Sequence, residues 1–246
     1  MTYNFTNGQS RAVDARRTGL VALATDLVTE NDFGALRAGP DHWLHTTRIA
    51  FGNPFTEETL RATLPQLGKA AALILPGVEL GSIMFSCTSA TAVLGEQAVS
   101  DAFAEGRPGV PVVTPPASVL LGLKKLGLTR LAMLAPYEAP VAHLLADYLA
   151  GQGVEIAGLK ILGLGDDQAI SALTPDEILA AAKPLVQPGA ALFIACTATD
   201  AARLVPWLEG ELGCPVLTSN QAMIWRAMRL AGETGEMPQF GALGAI

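Results

Sequence analysis

Short apolar runs recur along the chain at 19–25 (GLVALAT), 72–77 (ALILPG), 111–114 (PVVT), 130–136 (RLAMLAP), 191–196 (ALFIAC) and 215–218 (PVLT). They lack the polar alternation of a half-solvated strand, which is the pattern of strands covered on both faces. Longer stretches of helical spacing lie between them. Apolar residues of 139–150 recur every three or four positions and stop at Gly151. Thr174-Pro175-Asp176-Glu177 has the order of an N-cap, a first-turn proline and first-turn acids. Strands alternating with helices predict an α/β fold with mainly parallel sheets flanked by helices.

A weak internal repeat refines that expectation. Gly109-Val110-Pro111-Val112-Val113-Thr114 is echoed by Gly213-Cys214-Pro215-Val216-Leu217-Thr218, and each copy leads into a helical pattern that ends near glycine. Upstream of each copy an apolar run carries a Cys-Thr pair, Cys87-Thr88 and Cys196-Thr197. Repetition in order and chemistry predicts two pseudo-symmetric lobes with the site in the cleft between them, at strand C-termini. The lobe boundary is placed near 115. If the last helix packs back on the first lobe, the lobes are 1–114 plus 219–246, and 115–218.

Composition narrows the class of partner. Of 246 residues, 50% are hydrophobic and 16% charged, enough to bury a sizeable core. The net charge of −7 has no basic footprint for a phosphate backbone, so nucleic acid is not an expected partner. The apolar stretch 70–87 is interrupted by Pro76, Gly77, Glu79 and Gly81, so no membrane span is expected. Residues 1–17 contain no apolar signal-peptide core, and the three cysteines show no C-x-x-C spacing. A reducing, cytoplasmic setting is the simpler expectation, with a homodimer as the base-rate assembly.

If each Cys-Thr pair closes a strand at the cleft, Cys87 and Cys196 face one ligand from opposite lobes. Two thiols so placed can remove a proton from one face of a carbon acid and return one to the other face. Alternatively, one thiolate can add to a double bond while the other manages the proton. Neither route needs a metal or an organic cofactor. One thiol must then be partly ionised, which backbone N–H groups of the following turn would favour. Core packing is the competing reading of any single buried cysteine. Cys214, which has no following threonine, is read as structural.

These residues resemble the aspartate/glutamate racemase superfamily, and within it the maleate cis-trans isomerase and arylmalonate decarboxylase branch. The resemblance rests on Gly19-Leu20-Val21 with Glu30, Ser86-Cys87-Thr88-Ser89, Pro111 through Leu126-Gly127, Ala135-Pro136-Tyr137, Cys196-Thr197, and Pro215 through Ser219-Asn220-Gln221-Ala222 with Trp225. It implies a carboxylate-bearing substrate held between two α/β lobes, and no cofactor. In maleate isomerases the first-lobe cysteine adds to the alkene and the second assists, roles that fall on Cys87 and Cys196. Tyr137 matches a substrate-contacting tyrosine. Thr88, Ser89 and Thr197 are expected to bind carboxylate oxygens through hydroxyl or backbone N–H groups. Arylmalonate decarboxylases keep only the second-lobe cysteine, so Cys87 argues against decarboxylation.

Two positions depart from that pattern. Where maleate isomerases carry substrate-facing asparagines, this chain has Asp26 and Asp167. A carboxylate cannot donate a hydrogen bond and repels an anion at close range, which predicts a substrate carrying an ammonium or other cationic group beside its carboxylate. Racemisation or epimerisation of an amino-acid-like substrate is then expected. A branch of the family found with ectoine-degradation enzymes is similar in length and motifs, which points to a diaminobutyrate derivative. The alternatives are maleate-like cis-trans isomerisation through a covalent Cys87 adduct, and a non-catalytic small-molecule binding protein. The two aspartates could instead be helix caps. His42 and His45 lack a third ligand, so no metal is expected. Arg48 reads either as a carboxylate ligand or, preferentially, as a salt-bridge partner.

Overall fold

A computed structural model describes residues 15–246. The segment 1–17, read above for a leader, lies mostly outside the described residues. Among the described residues, eight strands form two sheets in which every pairing is parallel. The first sheet contains β1 (Arg17–Leu23), β2 (Trp43–Ile49), β3 (Ser82–Phe85) and β4 (Val112–Val113), in the order β2-β1-β3-β4. The second contains β5 (Arg130–Ala135), β6 (Glu155–Ile161), β7 (Ala191–Ile194) and β8 (Val216–Thr218), in the order β6-β5-β7-β8. Adding four to each strand number converts one order into the other, so the internal repeat is a repeat of topology.

Burial explains which strands form the centre of each sheet. β3 and β7 are buried at every residue, and β1 at all but its first, because helices cover both faces. The strand alternation sends Leu131, Met133 and Ala135 of β5 into a large apolar core that continues into the first lobe. Ala132 and Leu134 point the other way, into a smaller cluster with Ile178, Leu192, Val205 and Leu208. β2 and β6 are half-exposed sheet edges that mix residues such as His45, Thr46 and Lys160 with apolar ones. Lacking a continuous apolar run, both are absent from the strands expected above.

The run 72–77 is not a strand. Leu67–Leu73 is helical, with Leu67, Ala70, Ala71 and then Ile74 buried at i, i+3, i+4 and i+7, while Leu73 is exposed. This helix lies close against Glu96–Gly106 at two glycines; a Cβ on Gly106 would stand 2.0 Å from the Gly68 carbonyl oxygen. The expected helices at Ala139–Gly151 and Pro175–Ala182 are present, and Thr174 with Glu177 forms a reciprocal capping box. Thr114 and Thr218, the last residues of the two repeated segments, are both helix N-caps. Helix Ser219–Leu230 follows β8 and packs against Thr29–Leu36 and Pro115–Lys125. Among the described residues no helix is long and apolar enough to cross a membrane.

Candidate active site

The two cysteines occupy equivalent places. Cys87 follows β3, and Cys196 follows β7, the third strand of each sheet in chain order and the one next to the sheet's first strand. Cys87 is the N-cap of helix Thr88–Leu94; its Sγ accepts from Ala90 N–H at 3.4 Å and lies 3.7 Å from Ser89 Oγ. Cys196 Sγ accepts from Ala198 N–H at 3.4 Å. Its backbone is left-handed, with φ 78°. For a residue with a Cβ that conformation costs roughly 1–2 kcal/mol, a strain found where surroundings fix a functional group. The cysteine loops touch directly, since Thr197 Oγ1 donates to the Ser86 carbonyl at 3.0 Å.

Both thiols are buried and held neutral. Burial pushes Cys87 up to about 12, against the lesser influence of the Ala90 N–H and the Ser89 hydroxyl. Burial likewise raises Cys196 well above the ordinary thiol range; the charge of Asp167 adds to the effect, and the Ala198 N–H and Tyr137 hydroxyl oppose it. The expectation of a partly ionised resting thiol is thus corrected: desolvation outweighs the backbone donors at both positions. Tyr137 lies beside both thiols, and its buried hydroxyl makes no hydrogen bond of good geometry among the described residues. A polar atom left open in such a place suits a ligand.

The two aspartates separate into different roles. Asp26 Oδ1 accepts from the N–H groups of Val28 and Thr29, each at 3.0 Å, and Oδ2 accepts from Ser86 Oγ at 2.7 Å. It therefore fixes the turn that enters helix Thr29–Leu36, whose N-cap is Val28, and ties that turn to the residue before Cys87. Asp167 is different. The cap of helix Asp167–Ser171 is Asp166, which accepts from Ala169 N–H at 2.7 Å. Asp167 instead crosses to the first lobe and accepts from the Thr25 hydroxyl. Burial raises it to about 6; the Thr25 hydrogen bond opposes this, and the charges of Asp26 and Asp166 add to it.

Thr88 Oγ1 donates to Ser219 Oγ at 2.8 Å, and the Thr197 hydroxyl serves Ser86, so neither hydroxyl proton is free for a substrate oxygen. Of the two routes expected for these residues, backbone N–H donation is the one left open. Arg48 donates to the carbonyls of Leu23 and Asp26 at 3.1 and 2.8 Å and pairs with Glu30, which makes it a brace for the first βα loop. His42 Nε2 pairs with Glu233 Oε1 at 2.9 Å. Among the described residues no group of three or more His, Cys, Asp or Glu is placed to hold a metal. Cys214 is half-buried, away from the pair. Sequence reading missed Thr25, Ser86 and Asn220 as parts of the site. The last two stand inside quoted motifs, but nothing in the sequence signals their partners.

Comparisons with known proteins agree with this geometry. The arylmalonate decarboxylase family model matches residues 69–243. A maleate isomerase of Nocardia farcinica is 26% identical over 93% of this chain and 95% of its own length. An arylmalonate decarboxylase of Bordetella bronchiseptica is 30% identical over 55% of this chain and 58% of its own. The structure of a cysteine-to-serine variant of the Nocardia farcinica maleate cis-trans isomerase, with a covalently bound succinylcysteine intermediate, superimposes with a TM-score of 0.84. It covers 93% of this chain and 98% of that one. With two matching parallel sheets and a cysteine closing the third strand of each, the chain belongs to the arylmalonate decarboxylase family of enzymes, in the branch of the aspartate/glutamate racemase superfamily that includes maleate isomerases.

Proposed function

We propose that this protein is a cofactor-independent isomerase in which Cys87 and Cys196 act from opposite sides of a small carboxylate that also carries a cationic group. The reaction is racemisation or epimerisation at the carbon next to the carboxylate. One cysteine, as thiolate, takes the α-proton; the other, as thiol, delivers its proton to the opposite face, so the two exchange protonation states with each turnover. The open hydroxyl of Tyr137 donates to the substrate, and backbone N–H groups at Thr88, Ser89 and Thr197 support the negative charge that develops on the carboxylate oxygens.

Asp167 carries the choice of substrate. It is a buried carboxylate that caps no helix, and its charge opposes ionisation of both thiols. An ammonium group paired with Asp167 removes that opposition and sets a positive charge against the effect of burial, so that one thiol gives up its proton to solvent as the substrate binds. Diaminobutyrate derivatives and simple amino acids satisfy this requirement; a plain dicarboxylate does not.

A specific observation favours a second reading, cis-trans isomerisation of a maleate-like alkene through a thioether to Cys87: a relative matched over nearly its full length is a maleate isomerase, and a related structure holds a succinylcysteine. Chiral chromatography after incubation with single enantiomers of amino acids and N-acetyl-diaminobutyrates, with maleate in parallel, tests the choice. The proposal predicts inversion of an amino-acid-like enantiomer. Conversion of maleate to fumarate with every enantiomer left unchanged would establish the second reading instead.

A further inference from the structure

The left-handed turn at Cys196 needs something to hold it, and the structure shows a buried brace reaching it from another element. Asn220, in the first turn of helix Ser219–Leu230, uses its amide nitrogen twice: Nδ2 donates to the Thr197 carbonyl at 2.8 Å and to Asp32 Oδ2 at 2.8 Å. Its Oδ1 accepts from Thr29 Oγ1 at 3.3 Å. Asp32 and Thr29 belong to helix Thr29–Leu36 of the first lobe, and all three residues are almost fully buried. The Asp32 carboxylate and the Thr29 hydroxyl together fix which way the amide faces, because an acceptor on one side and a donor on the other leave one orientation satisfied.

We propose that Asn220, oriented by Asp32, is the positioning residue for Cys196: by holding the Thr197 carbonyl it maintains the left-handed turn that aims the Cys196 thiol into the cleft. The inference rests on the reading of Cys196 as a working thiol for its purpose, though not for its geometry. Cys87 meets this brace only through its neighbours, Ser86 by the Thr197 hydroxyl and Thr88 by Ser219. Its position is set by the N-cap of helix Thr88–Leu94 and by the ladder of β3. Burial of Asp32 beside Asn220, with Arg203 Nε 3.5 Å away at the half-exposed rim, ties the brace to the outer segment that also carries Asp200.

Peptide-mapped alkylation by iodoacetamide, timed for each cysteine in the folded protein, tests this without knowledge of the substrate. When Asn220→Leu removes the donor, the turn relaxes toward ordinary backbone, the thiol gains water and its ionisation eases. Cys196 is then expected to alkylate at least about tenfold faster, while Cys87 stays within about twofold of the parent; a tenfold change corresponds to about 1.4 kcal/mol. Asp32→Asn keeps an acceptor for the amide and should preserve the parent pattern, whereas Asp32→Leu should reproduce the Asn220→Leu effect. Should Asn220→Leu fail to fold, the two Asp32 variants carry the comparison. An unchanged Cys196 rate, or equal acceleration of both cysteines, overturns the proposal. Full activity in Cys196→Ser, with the selective alkylation effect intact, would instead refute the reading of Cys196 as a working thiol and leave the positioning geometry standing.

Discussion

Replacing Asp167 with asparagine should stabilise the protein while damaging its site. Burial raises this carboxyl from 3.8 to about 6, and that difference corresponds to about 3 kcal/mol of penalty for holding the charged form in the folded state. A carboxyl raised on folding favours the native state fully below its unfolded value and loses that advantage as pH rises through its folded value. The parent therefore carries the penalty above about pH 6 and is relieved of it near pH 4. An asparagine side chain in that place has no charge to bury and keeps an oxygen for the Thr25 hydroxyl, so Asp167→Asn should gain about 1–3 kcal/mol at pH 8, with the gain disappearing toward pH 4. Urea unfolding of both proteins between pH 4 and 8 measures this directly. A stability difference that is flat across that range refutes the assignment of Asp167 as a buried, charge-strained group. In the proposed reaction the same variant should bind a cationic substrate at least about tenfold more weakly, a trade of function for stability expected at a site.

Further perturbations separate catalytic from structural roles. Cys87→Ser and Cys196→Ser should each lower turnover by at least about a hundredfold, the lower bound for loss of a positioned proton-transfer group; steady-state assays should show Cys214→Ser unchanged. Arg48→Ala removes donors to two loop carbonyls and should lower stability by about 1–3 kcal/mol in a thermal or urea melt, whereas a substrate-binding arginine would instead raise KM and leave stability unchanged. Gly106→Ala places a methyl 2.0 Å from the Gly68 carbonyl and should cost about 1–3 kcal/mol by forcing the two helices apart, measured by the same melt.

Much of the framework was legible in the sequence because burial on both faces leaves a continuous apolar run, and the central strands β1, β5 and β7 are written that way. The repeated segment ending in Thr114 and Thr218 also disclosed the shared topology. Edge strands β2 and β6 were hidden, since a half-exposed strand tolerates His45, Thr46 or Lys160 and loses its signature. The error at 72–77 has a similar cause: a short apolar run is ambiguous between strand and buried helix face until its neighbours show which positions face inward. At the site, the repeated Cys-Thr pairs pointed to Cys87 and Cys196 and the family resemblance to Tyr137, and Tyr137 lies beside both thiols. The sequence did not distinguish the fates of Asp26 and Asp167, because the difference depends on whether a neighbouring residue, Asp166, takes over the capping. Nor did it reveal that burial keeps both thiols neutral, a property of the surrounding atoms rather than of the Cys-Thr motif.

In the proposed reaction two thiols move one proton across a carbon next to a carboxylate. Proton NMR in deuterium oxide tests it most directly, following single amino acids, N-acetyl-diaminobutyrates and maleate with the parent, Cys87→Ser and Cys196→Ser proteins. Two-thiol proton transfer predicts loss of an α-proton signal, through deuterium exchange with inversion, in an amino-acid-like compound with the parent protein and loss of that inversion in both variants. Maleate converting to fumarate with no α-proton exchange in any amino-acid-like compound would contradict it and establish addition of Cys87 to an alkene in its place.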